Sequence, residues 1–160
     1  MTHDAAQSFV AEARRYLSSV YLPHIEQCLQ QLTDEQVWWR PNEQSNSIGN
    51  LLLHLAGSTR MWIVCGVGEE NVERDRQQEF DERSHVSRAK LLALLKESLT
   101  AADEVLETFD GSKLQQKRRV KEEEVTALEA LFHAVEHFSM HTGQIILLTK
   151  IITSKDLSLY

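Results

Sequence analysis

Apolar residues recur at intervals of three and four along most of this chain, and no segment sustains a two-residue alternation. That period puts them on one face of an α-helix rather than of a strand. The first run, from about Asp4 to Leu32, carries Phe9, Val10, Ala13, Leu17, Val20, Ile25 and Leu29 on one side. Pro23 lies inside it, and its missing N–H and bulky ring predict a kink or a split. Thr33-Asp-Glu-Gln36 has capping-box spacing and predicts a short helical turn, which ends at Trp38-Trp-Arg-Pro41 ahead of a loop from Asn42 to Asn46. Ser47 is the N-cap of a second long helix over about Ile48 to Cys65, with Ile48, Leu52, Leu55, Thr59, Trp62 and Ile63 facing inward. Residues 66–85 are charged and weakly apolar, and read as a long, in part helical, connection. Ser84 or Ser87 begins the third helix, in which Leu91, Leu92, Leu94, Leu95, Leu99, Ala102, Val105 and Leu106 form a wide stripe up to Asp110-Gly111. Lys117-Arg-Arg-Val-Lys121 runs into Glu122-Glu-Glu124 and reads as a solvated loop. Thr126-Ala-Leu-Glu129, a second capping box, opens a fourth helix to about Ile152. Gly143 falls inside that helix, a cost of about 1 kcal/mol against Ala unless close packing or a ligand needs it.

Four long amphipathic helices with two substantial crossover segments describe an all-α four-helix bundle, one domain over residues 1–160. The helices then decide which histidines can act together. His137 and His141 stand one turn apart on the fourth helix, close enough for both imidazoles to reach one metal ion. His133 continues the same spacing, but three such residues span about 12 Å of axis, too far for one ion. Relative to the apolar arc of Leu131, Val135, Phe138, Thr142 and Ile145, His141 lies at about 80°, His137 at about 120° and His133 at about 160°. The first two border the core and His133 is expected to face solvent. His54 interrupts the apolar run Ile48-Gly-Asn-Leu-Leu-Leu-His-Leu-Ala56 and sits on its helix flank with Ser58. If the two helices pack, His54, His137 and His141 make a three-ligand site with open positions, the arrangement of catalytic rather than structural metals. Spacing alone leaves a second reading open, in which they are hydrogen-bonded structural residues. Phe138 follows His137, so the glutamate of the zinc-protease helix motif is absent and that reaction is excluded. Cys65 is about 16 Å along the axis from His54, beyond reach of the same ion. His3, His24 and His85 fall in terminal, polar or loop surroundings and are given no role; Trp38, Trp39 and Trp62 read as packing residues.

Composition narrows the class further. The formal net charge is −7 and the one basic cluster is followed by glutamates, which argues against nucleic acid as a partner. The N-terminal residues lack the pattern of a signal peptide, and no apolar stretch approaches the roughly 20 residues of a membrane span. Cys28 and Cys65 form no close pair and read as idle thiols of a reducing compartment. A cytoplasmic location is expected.

Three segments carry a family likeness: Leu32-Thr-Asp-Glu-Gln-Val-Trp-Trp-Arg-Pro-Asn42, Asn46-Ser-Ile-Gly-Asn-Leu-Leu-Leu-His-Leu-Ala56 and His137-Phe-Ser-Met-His-Thr-Gly-Gln144. In their order and spacing the chain resembles the DinB-like family, which includes the bacillithiol S-transferases and, more distantly, mycothiol-dependent maleylpyruvate isomerases. The resemblance implies a DinB-like bundle with long crossovers, a homodimer, and a divalent ion such as nickel, zinc or iron on His54, His137 and His141. The function it points to is a metal-dependent thiol S-transferase acting on small electrophiles, with a low-molecular-weight thiol as co-substrate. A metal-dependent hydrolase, and a non-enzymatic stress-associated bundle with a structural or vestigial metal, are the alternatives. Asn50, one turn before His54, and Gln144, one turn after His141, are candidates to support the ligands or to touch substrate.

Overall fold

The structure is a computed structural model that describes residues 5–83 and 86–159; His3, Asp4, Ser84 and His85, named above, lie outside these. The first rod consists of α1 (Ala5–Arg15), a π-helical stretch (Tyr16–Tyr21) and α2 (Leu22–Gln30), without a break. At Pro23 the rod changes its winding and is not split in two. The Leu22 N–H bonds to the Leu17 carbonyl, five residues back, and the wider π turn accommodates a ring that has no N–H to donate. In α3 (Asp34–Val37), Thr33 Oγ1 accepts from the Gln36 N–H and Gln36 Oε1 accepts from the Thr33 N–H, the expected capping box. Ser47 caps α4 (Ile48–Thr59), which runs on as a second π stretch (Arg60–Cys65). The long connection contains one short helix, α5 (Arg76–Asp81). Ser87 caps α6 (Arg88–Thr108), and Thr126 caps α7 (Ala127–Thr153), which stops at a left-handed Ser154.

The charged stretch after α6 is a two-stranded antiparallel hairpin and not a loop. Strand β1 (Lys117–Val120) pairs with β2 (Glu123–Thr126), Arg118 opposite Val125 and Arg119 opposite Glu124. Alternation exists there, with Arg118 and Val120 turned inward. One inward position is an arginine, so a hydropathy pattern conceals the strand.

Val10, Ile25 and Leu29 of the first rod, Leu52 and Leu55 of α4, Leu91 and Leu95 of α6, and Phe138 and Ile145 of α7 share one core. Helix α4 is central: ten of its twelve residues are buried. A helix enclosed on nearly every side cannot send its polar side chains to water, so Asn50 and His54 must find partners inside the protein. Both cysteines are free, and burial pushes the Cys28 thiol pKa up. Among the described residues no helix is long and apolar enough to cross a membrane.

Candidate metal centre

Packing of α4 against α7 brings together His54, His137 and His141, each aimed with Nε2 at a common point. His137 Nε2 stands 3.0 Å from His54 Nε2 and 3.1 Å from His141 Nε2. The rings meet edge to face, His141 at 88° to His54 and 85° to His137. Two imidazole nitrogens bound about 2.1 Å from one ion lie about 3.0 to 3.4 Å apart, so the spacing suits a shared cation.

The outer nitrogens fix how the protons are distributed. His141 Nδ1–H donates to Gln144 Oε1 at 2.7 Å, and Ser58 Oγ lies 3.4 Å from His137 Nδ1. His54 Nδ1 is 2.9 Å from Glu79 Oε2. Burial by itself would raise the Glu79 carboxyl, but hydrogen bonds from Arg74 and His54 outweigh it and hold the pKa below the ordinary value. Glu79 is therefore a carboxylate, an acceptor only, and His54 must carry its proton on Nδ1. Arg74 Nη2 donates to Glu79 Oε2 at 2.8 Å and lies beside the same nitrogen at 3.1 Å without bonding to it. His54 and His141 thus turn bare Nε2 lone pairs toward the centre. A proton on His137 Nε2 can bond well to only one of them, whereas a cation satisfies all three. The donor set fits a metal ion.

Charge points the same way. Burial, then the neighbouring imidazoles of His141, His54 and His133, push His137 down to about 3. Burial also lowers His141, against the opposing hydrogen bond to Gln144. Both are neutral at pH 7, the state a metal requires.

A profile of the family described as "Protein of unknown function (DUF1572)" matches residues 4–159, nearly the whole chain. The chain belongs to the DinB-like family. Its fold is also that of solved structures. A conserved protein from Enterococcus faecalis superposes with a TM-score of 0.73 at 17% identity, over 91% of this chain and 97% of the other. DinB-like proteins from Bacillus cereus ATCC 10987 and from Bacillus subtilis (YjoA) each give 0.66 at 18% identity. The first covers 83% of this chain and 86% of its own, the second 88% and 90%. No curated protein matches the chain.

In this DinB-like protein one histidine outside the triad falls differently from expectation. His133 does not project freely into solvent: its ring lies 4.2 Å from Trp62 and stacks on His137 at 5.3 Å, with no part in the convergent cluster. Asn50 is completely buried. Its Oδ1 accepts from Ser47 Oγ and Arg40 Nη2, both at 2.7 Å, and its Nδ2 donates to the carbonyls of Glu79 and Glu82. It clamps α5 to α4 and so sets the position of Glu79.

Sequence reasoning missed Arg74 and Glu79 entirely. Their side chains are only 6% and 10% exposed, and Arg74 Nε donates to Glu79 Oε1 at 2.6 Å. One trace of them was present. A Cβ at Gly57 would overlap the Glu79 carboxylate and stand 2.9 Å from Arg74 Nε, so this helical glycine marks where the pair crosses α4.

Proposed function

We propose that the chain is a metal-dependent thiol S-transferase, holding a divalent ion through Nε2 of His54, His137 and His141. The observation that carries the reading is the convergence of these nitrogens with the Nδ1 protons of His54 and His141 held outward by Glu79 and Gln144. When bound, such an ion supplies positive charge that lowers a thiol's pKa and stabilises the thiolate at neutral pH. The chain's own residues keep that charge undiluted. His137 and His141 are neutral at pH 7, and Arg74 compensates the one nearby carboxylate. Phe80 packs 4.8 Å from the His54 ring and helps hold it in place. In the reaction the sulfur lone pair forms a C–S bond to the electrophile; the leaving group departs with its electron pair, or a conjugate acceptor takes the thiol proton. A 320 Å³ pocket beside Gln144, lined also by Pro41, Gln44, Ser45, Leu51 and Leu147, has the size and mixed polarity for a small molecule. Asn50 acts through Glu79 rather than on substrate. The protein works as a homodimer, and its two unpaired thiols suit the cytoplasm.

The test is elemental analysis of protein purified without a metal-affinity tag, beside His137→Ala, followed by a screen of thiols against electrophiles. About one divalent ion per chain, lost in the variant, together with conjugation that needs the ion, supports the reading. A metal whose removal collapses the fold, with no turnover, identifies a structural site; ester or amide cleavage without a thiol identifies a hydrolase.

A further inference from the structure

The face of α7 turned away from the core carries a row of large apolar side chains among a few polar ones. Phe132, Met140, Leu147 and Ile151 are 47 to 60% exposed. With Glu136, Ser139, Gly143 and Lys150 they occupy an arc of about 120°, opposite the buried Ala134, Phe138, His141 and Ile145. A surface helix ordinarily carries polar residues there. The stripe runs about 28 Å from Phe132 to Ile151 and holds four of the six large hydrophobic residues exposed among the described residues. Gly143 sits at its middle, and nothing within the chain explains it, because an added Cβ meets no atom within 4 Å. A glycine in a helix interior is disfavoured unless something must approach the backbone closely.

We propose that this stripe is the contact between two copies of the chain, their α7 helices crossing antiparallel at Gly143. The inference rests on the homodimer reading above and places its interface. A two-fold axis at Gly143 sets each residue opposite the one equally far along the other helix, in both directions. Glu136 and Lys150 each lie seven residues from that axis, so Glu136 of one copy meets Lys150 of the other, twice over. Met140 faces Leu147 within one residue of symmetry, and Phe132 reaches the level of Ile151 within a turn. A parallel pairing would instead set Glu136 on Glu136 and Lys150 on Lys150, so the charges select the antiparallel orientation. Ser139 and Gly143 are small enough to let the helix axes approach at the crossing. The face is complementary to itself, which is why a second copy suits it better than an unrelated partner.

Sedimentation analysis of the full chain tests this, with wild type, Glu136→Lys, Lys150→Glu, their double exchange and Gly143→Gln measured alongside metal content. The wild type is expected to dimerise, and each single reversal to weaken the dimer about tenfold or more. The double exchange should restore it, because the two positions are about 21 Å apart in one helix and can pair only between copies. Gly143→Gln should weaken the dimer while raising the melting temperature of the monomer. A dimer indifferent to all four variants overturns this placement but leaves the homodimer reading intact. A wild type that stays monomeric overturns both, and recruitment of that monomer to neutral lipid vesicles would assign the stripe to a membrane surface. Bound metal should be unchanged in Lys150→Glu whatever the oligomeric state.

Discussion

Replacing Glu79 by Gln alters the site without changing its shape. The carboxylate accepts from Arg74 Nε at 2.6 Å, Arg74 Nη2 at 2.8 Å and His54 Nδ1 at 2.9 Å. An amide offers one oxygen where there were two, so one side of this arrangement faces an N–H instead. Arg74, with its side chain 6% exposed, would then hold an uncompensated charge. Breaking a buried pair from one side costs about 3 to 5 kcal/mol. The lower end applies here because Arg74 lies on an irregular stretch before α5 that can swing into water. For a chain of this size, about 3 kcal/mol lowers the melting temperature by roughly 6 to 12 °C. His54 also loses the carboxylate that holds its Nδ1 proton and orients its ring, and losing such a support weakens metal binding about 10- to 100-fold. Thermal melts in chelator give the first quantity, and competition with a chromophoric chelator gives the second. Adding Arg74→Gln should recover much of the stability by removing the stranded charge, but none of the metal affinity. If Glu79→Gln shifts stability by less than about 0.5 kcal/mol and affinity by less than about twofold, the three-residue contact does not exist in solution.

Acidification should destabilise the metal-free protein. The folded pKa of His137 is about 3 against an ordinary 6.5, so between those values the unfolded chain binds the extra proton. Stability is complete above about pH 6.5 and falls below it by at most about 1.4 kcal/mol per pH unit, seen as a shift in denaturant midpoint in chelator; His137→Gln should flatten the profile. Gly57→Ala should lower both stability and metal affinity, although alanine in a helix interior ordinarily gains about 1 kcal/mol; a higher melting temperature with unchanged affinity would show that the Arg74–Glu79 pair does not lie over α4. Asn50→Ala removes bonds to Ser47, Arg40 and the Glu79 and Glu82 carbonyls. It should cost about 3 kcal/mol by chemical denaturation and weaken metal binding about tenfold; full affinity would separate Asn50 from the site.

The long helices were legible because their signals are local. Thr33, Ser47, Ser87 and Thr126 each accept an N–H three residues on, an interaction that spacing along the chain reveals. The candidate pair His137 and His141 on α7 was legible for the same reason, one turn being a local distance. His54 required the packing of two helices, which the family likeness supplied. The hairpin was hidden because Arg118 takes an inward position that a strand pattern reserves for an apolar residue. His133 was misjudged because a helical wheel knows only its own helix, and Trp62 comes from another.

Arg74 and Glu79 show a deeper limit. They lie 20 and 25 residues beyond His54, on a segment whose charge made it look solvated. Charge density predicts exposure only when each charge goes to water separately; here two charges neutralise one another against α4, and a glycine on α4 makes room for them. Their effect on chemistry is one of balance. Glu79 fixes the tautomer of His54, and were its charge unopposed it would also offset part of the charge of any ion held by the three imidazoles. Arg74 removes that offset while leaving the hydrogen bond in place. Were a cation held there, its donors would add no net charge, the condition under which an anionic ligand binds most strongly at an open position. The metal ligands alone are compatible with hydrolysis, transfer or a structural ion. The compensated carboxylate behind His54 suits a reaction that begins with an anion, hydroxide as well as thiolate, so the dependence of turnover on added thiol is what separates transfer from hydrolysis.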